Sequence, residues 1–406
     1  MRAILPILAA TALTWLSLLP VQAQNNAPVN QSQQTVIVDE NEMPGYEPYG
    51  LLNAMPGFLE DIKHDLGFPM AWRNSGYKDF GRWRKAARQQ LFDCMGQLPP
   101  TSRSFDYLIL EREQRNGYQA LKIVFDISGY CRIPAYLLVP DGEGRFPALV
   151  ALHDHGARFT IGKEKMIRPI GQADSEKMQE AENWAVSCYD GVFTGDFFAQ
   201  NGFVVLSIDA IFWGERGRKE GASYEAQQAF AANLFQLGMN WCGLITFDDM
   251  QSVEFLSRLP FVDARRIGAY GHSMGAHRAW MLAAASEKVK AGVAVCWMNT
   301  TRHLMTATNN QNKGGSAYSM LLPDIRRYLD YPDVASIACP KPMYFMNGRQ
   351  DKLFPVEGVE DAYKIMRQVW SSQDADWKLK TELWDVPHFF SRDMQQQALE
   401  FFKKQL

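Results

Sequence analysis

Between Arg265 and Ala284 the chain reads RRIGAYGHSMGAHRAWMLAA. A short apolar run, RIGAYG, passes directly into residues with helical spacing, and Ser273 stands at the junction with Gly271 and Gly275 two residues to either side. That pattern suits a serine nucleophile. Glycines remove the side chains that would obstruct a strained strand-to-helix turn, and the first N–H groups of the helix face any developing oxyanion. The plainer alternative is a serine that only caps its helix.

A hydroxyl attacks at neutral pH only if a base takes its proton, and histidine is suited to that. Of seven histidines, His388 in LKTELWDVPHFFSRDM follows the last apolar run and precedes the final helical stretch. Asp351, in KPMYFMNGRQDKLFP, follows another strand-like run and can hold the imidazole in the right tautomer. Asp385, three residues before His388, is the rival acid. Two oxyanion donors are needed: the backbone N–H of Met274, and one from the loop HDHGA, where His155 and Gly156 are the candidates. His153 and His155 alternate as a metal pair would, but no third ligand accompanies them, so the expectation is no metal site. The chemistry requires no cofactor.

These side chains need a scaffold. YQALKIVFDIS and CRIPAYLLVP read as a hairpin; FPALVALHD, FVVLSID, RIGAYG, AGVAVCWM, PMYFMNG and WKLKTELWDV read as further strands, separated by helical stretches. The pattern predicts an α/β fold with a mostly parallel eight-stranded sheet and helices on both faces. Two long connections, Gly156 to Gly191 and Asn299 to Ala338, are expected to be lid-like insertions. Upstream, KDFGRWRKAARQQLFDCMG spaces Phe80, Trp83, Ala87, Leu91 and Met95 as an amphipathic helix. The division is therefore a signal peptide over 1–23, a flexible leader over 24–45, a helical N-terminal extension over 46–117 and a catalytic domain over 118–406.

The signal peptide is read from MRAILPILAATALTWLSLLPVQAQ, in which Arg2 precedes an apolar run and a small-residue site ends at Ala23; an uncleaved anchor is the alternative. Export to the periplasm or beyond follows, with no stable membrane insertion after cleavage. Lys plus Arg (42) nearly balances Asp plus Glu (45), so no field exists to gather nucleic acid. Six scattered cysteines show no zinc spacing, and their pairing is not legible.

From PAYLLVPDG through HDHG, SIDAIFWGERG, GHSMG, PKPMYFMNGRQDKLFP and PHFF, the chain from Tyr118 to Leu406 resembles the α/β-hydrolase superfamily, and within it the dienelactone-hydrolase-like and acetyl-xylan-esterase-like enzymes. The order Ser, Asp, His is that superfamily's. One position departs: relatives have glycine after the first histidine of the HDHG loop, and here Asp154 stands there. The resemblance implies a serine esterase acting through a Ser273–His388–Asp351 triad and an acyl-enzyme on small acyl esters of carbohydrate. Trp213, Glu215, Arg216, Trp297 and His303 are candidate substrate contacts, with a salt-bridged loop and aromatic core as the competing readings. A peptidase of the prolyl-oligopeptidase type, and an inactive carbohydrate-binding scaffold, are the alternative functions.

Overall fold

Successive side chains along the central strands enter two different apolar layers. In β4 (Phe146–Leu152), Ala148, Val150 and Leu152 join one layer while Leu149 and Ala151 join the other. In β8 (Met343–Gly348), Met343 and Phe345 are divided from Tyr344 and Met346 in the same way. Strands apolar on both faces must be covered on both, which calls for helices above and below. The computed structural model describes residues 58–171, 174–219, 221–306 and 317–406. The expected signal peptide and leader, with the first residues of the N-terminal extension, lie outside the described residues.

The other strands are β1 (Tyr107–Arg115), β2 (Tyr118–Asp126), β3 (Arg132–Pro140), β5 (Val204–Ile208), β6 (Val262–His272), β7 (Val289–Val295) and β9 (Leu379–Trp384). They form one sheet in the order β1-β2-β3-β5-β4-β6-β7-β8-β9. The six strands from β5 across to β9 pair in parallel. β1, β2 and β3 extend that sheet by antiparallel pairing. Among the described residues the sheet has nine strands where the sequence reading has eight. The additional strand is β1, YLILEREQR, from the stretch assigned to the helical extension. It is an edge strand whose Leu108, Ile109 and Leu110 are exposed, so it lacks the alternating apolar pattern that marks its neighbours.

The amphipathic helix forms as the spacing predicts, over Phe80–Met95. Asp79 caps it by accepting from the Arg82 N–H at 2.7 Å, and Gly96 ends it at φ 71°. Trp83, Ala87 and Leu91 are fully buried and share one layer with Leu256 of helix Trp241–Arg258 and Trp280 of helix Met274–Ala285. On the opposite face, helices Thr194–Gln200 and Arg392–Gln405 meet through Phe198 and Phe402, ring centroids 5.8 Å apart. All six cysteines are free. Among the described residues no helix is long and apolar enough to cross a membrane.

Candidate active site

Strand β6 ends at His272 and the helix begins at Met274, which leaves Ser273 as the whole of the turn. Its φ of 57° and ψ of −125° lie where non-glycine residues rarely sit, at a cost of about 1–3 kcal/mol. Backbone bonds hold it there: Ser273 N–H donates to the Val295 carbonyl at 2.8 Å, and its own carbonyl accepts from Ala276 and His277. The flanking glycines serve close approach. A Cβ on Gly275 would lie 1.9 Å from the Leu152 carbonyl oxygen, and one on Gly271 would lie 2.4 Å from the backbone of Gly275. The elbow is therefore pressed against the end of β4, where the HDHG loop starts. No hydrogen bond ties the Ser273 hydroxyl among the described residues, and bonds of this kind commonly tighten only when substrate docks.

His388 lies in the loop between β9 and the last helix, and its Nδ1 is 2.7 Å from Asp351 Oδ2. A carboxylate can only accept, so Nδ1 carries the proton and Nε2 keeps its lone pair. Asp351 Oδ1 accepts from the Leu353 N–H at 2.9 Å, which orients the carboxylate. The two loops are laced together by Arg349 N–H to the Trp384 carbonyl and Gln350 N–H to the Val386 carbonyl. Asp385, the rival acid, is exposed and accepts from Gln350 instead. The His388 ring packs 4.6 Å from the ring of His272, the residue before Ser273, so the imidazole stands beside the elbow.

In the HDHG loop, neither the His155 nor the Gly156 N–H has an acceptor among the described residues. The Met274 N–H, at the first position of its helix, has no intrahelical acceptor either. Asp154, the departure from the pattern of relatives, is fully buried and anchors this loop. Its carboxylate accepts from Trp184 Nε1 at 3.0 Å and from the Tyr189 hydroxyl, and faces Lys165 Nζ at 3.4 Å. Burial alone would raise its pKa, but Lys165 and these donors hold it well below the usual carboxylate range. Lys165 also donates to the carbonyls of Asp154 and His155. His153 uses both ring nitrogens, one on the Asp154 carbonyl and one on the Ala210 N–H, so no His153–His155 metal pair is available.

A family model described as Abhydrolase family matches residues 30–376. The chain belongs to the Abhydrolase family. A Bacillus subtilis (strain 168) protein described as hydrolase YtaP is 26% identical over 325 residues, covering 80% of this chain and all of that protein. Among solved structures, one described as an acetyl xylan esterase from Bacteroides fragilis NCTC 9343 superposes with a TM-score of 0.64 at 19% identity, covering 81% of each chain. A glucuronoyl esterase from Solibacter usitatus follows at 0.58 and 12% identity, covering 82% of this chain and 95% of its own. These similarities establish the α/β-hydrolase fold.

In this Abhydrolase-family chain the candidate substrate contacts differ in burial and in the partners they engage. Trp213 is fully buried; it packs on His155 and Phe159 and donates from Nε1 to the His155 carbonyl at 3.2 Å, so it supports the loop from beneath. Trp297 is equally buried, among His277, Trp280 and Phe354, with no face left for a sugar. Glu215 pairs with Lys163 at 2.6 Å and with Lys122 at 3.1 Å; burial would raise its pKa, and Lys163 brings it down to about 2. Arg216 pairs with Asp248 at 2.7 Å and binds the Asp209 carbonyl. Both side chains are thus engaged in ion pairs. His303 is partly exposed and bonds Thr300 at 2.9 Å.

The sequence reading missed the buried charges beneath the loop. Lys163 is fully buried and reaches Asp209 at 2.8 Å, Glu164 at 2.9 Å and Glu215. The run KEK at 163–165 inside an otherwise apolar stretch, IGKEKMI, was the available signal. A buried lysine needs an acid, but the sequence does not say which.

Proposed function

We propose that the protein is an exported serine hydrolase that cleaves carboxylic esters, with small acyl groups, acetyl first, on carbohydrate as its substrates. Ser273 attacks the ester carbonyl while His388 Nε2 takes its proton, and the N–H groups of Met274 and of His155 or Gly156 hold the oxyanion. His388 then protonates the leaving alcohol, and a water activated by the same imidazole releases the acyl group from Ser273. Asp351 keeps the proton on His388 Nδ1 throughout.

The observation that carries this reading is the 2.7 Å pair between His388 and Asp351, beside a serine held in a strained elbow. Two solved structures of this fold are named as an acetyl xylan esterase and a glucuronoyl esterase, which favours sugar esters. The apolar N-terminal run followed by a small-residue site ending at Ala23 favours export.

The mature protein and Ser273→Ala are incubated with acetylated xylan, p-nitrophenyl acetate and a peptide anilide. Hydrolysis of both esters by the wild type alone is expected. Equal ester turnover by both proteins removes Ser273 from the mechanism; cleavage of only the anilide makes the protein a peptidase; binding of xylan without turnover makes it a scaffold.

A further inference from the structure

Beside His388 lie two residues that the proposed chemistry does not use. His272 ends β6, and Cys296 follows the last residue of β7. One ligand atom from each of His272, Cys296 and His388 lies within 4.8 Å of the other two. His272 is 1% exposed, and among the described residues neither of its ring nitrogens has a hydrogen-bond partner. A buried imidazole left wholly unpaired costs about 1–3 kcal/mol per group, so its retention calls for an explanation. Cys296 is fully buried, and its thiol reaches the Phe389 carbonyl over a long 3.7 Å and lies beside the Gly348 backbone. His388 keeps 24% of its side chain exposed, which leaves an approach from solvent.

We propose that His272, Cys296 and His388 form a binding site for a thiophilic divalent cation, Zn²⁺ above all, and that occupancy of this site switches the hydrolase off. Two imidazoles and a thiolate are the ligand set of a borderline-soft ion, whereas Mg²⁺ and Ca²⁺ demand oxygen. Tetrahedral bonds of about 2.0–2.3 Å bring ligand atoms to roughly 3.3–3.6 Å apart, so the three side chains must close by about 1 Å. His272 binds through a free ring nitrogen. His388 binds through Nε2, because Nδ1–H remains on Asp351. Cys296 releases its thiol proton to solvent as the sulfur–metal bond forms, and nothing is oxidised or reduced. Inhibition rests on the proposed role of His388: a metal on Nε2 takes the lone pair that would accept the Ser273 proton.

The test uses Co²⁺ as a spectroscopic probe on the full-length mature protein freed of metal by EDTA. A sulfur-to-cobalt charge-transfer band that saturates at one equivalent and is displaced by Zn²⁺ is expected. That band is absent in Cys296→Ser, and the Zn²⁺ concentration that halves each protein's own ester turnover rises at least about tenfold in Cys296→Ser and in His272→Gln. EDTA restores wild-type turnover. No sulfur band, or a band that persists in Cys296→Ser, overturns the site; full occupancy with undiminished turnover overturns the switch. Ser273→Ala separates the two readings, since it keeps the cobalt band whether or not Ser273 is the nucleophile.

Discussion

Lys165 donates to the carbonyl oxygen of His155 over 2.8 Å, and both residues are buried. A cation without solvent contact thus fixes the backbone that carries a candidate oxyanion donor, with Asp154 as its counter-charge at 3.4 Å. Removing one member leaves the other charge buried and uncompensated, which costs about 3–5 kcal/mol.

Lys165→Met therefore lowers stability by that order and also lowers ester turnover by up to about 10²-fold, because the loop loses its registration. Asp154→Asn combined with Lys165→Met recovers much of the stability but not the turnover. Urea unfolding and steady-state kinetics on the three variants check this; independent, additive losses in stability contradict it.

Asp351→Asn reduces turnover by about 10⁴-fold, since an amide no longer holds His388 in the required tautomer. Asp385→Asn stays within about twofold, as expected of an exposed residue that accepts from Gln350. Steady-state rates on p-nitrophenyl acetate separate the two acids.

Gly275→Ala places a Cβ 1.9 Å from the Leu152 carbonyl oxygen and 2.9 Å from its carbon, both backbone atoms that cannot rotate away. The elbow must shift, costing about 1–3 kcal/mol in stability and up to about 10²-fold in turnover. Gly76→Ala, where a Cβ meets nothing within 4 Å, is the control and leaves both unchanged. Thermal melts and kinetics of the pair provide the check.

That Ser273, Asp351 and His388 each follow a strand was legible because each comes after a short apolar run, and the order of strands sets the order of loops along the sheet edge. Eight strands were legible for the same reason. β1 was not, since an exposed edge with Glu and Arg between its apolar residues carries no buried period. The burial of Trp213 and Trp297 was not legible, because a residue past a strand can turn inward or outward and sequence does not distinguish the two. The bond from Lys163 to Asp209 spans 46 residues, a separation over which no local spacing speaks.

Burial, aided by neighbouring cations at His155 and His277 and by His388 at His272, lowers the pKa of all three to about 3. Unfolded histidine titrates near 6.5, so between those limits the unfolded state binds protons that the folded state refuses. Stability is then lost as pH falls below about 6.5. Asp333, raised to about 6 by burial despite Arg73, acts in the opposite direction, so a single-residue difference is the cleaner measure. In EDTA, the unfolding free energy of His272→Gln falls less steeply than that of the wild type between pH 6.5 and 5, by about 1 kcal/mol per pH unit on average. Urea titrations across that range decide it, and parallel curves contradict the assignment.

The most direct measurement is of the covalent intermediate. The mature protein is mixed with p-nitrophenyl acetate, quenched in acid within the first turnovers, and mapped by peptide mass spectrometry. The account predicts a single acetyl group on the peptide bearing Ser273, absent in Ser273→Ala and accumulating in His388→Ala only at a vanishing rate. Acetyl on another residue in an active wild-type protein, or rapid turnover with Ser273 never modified, contradicts it.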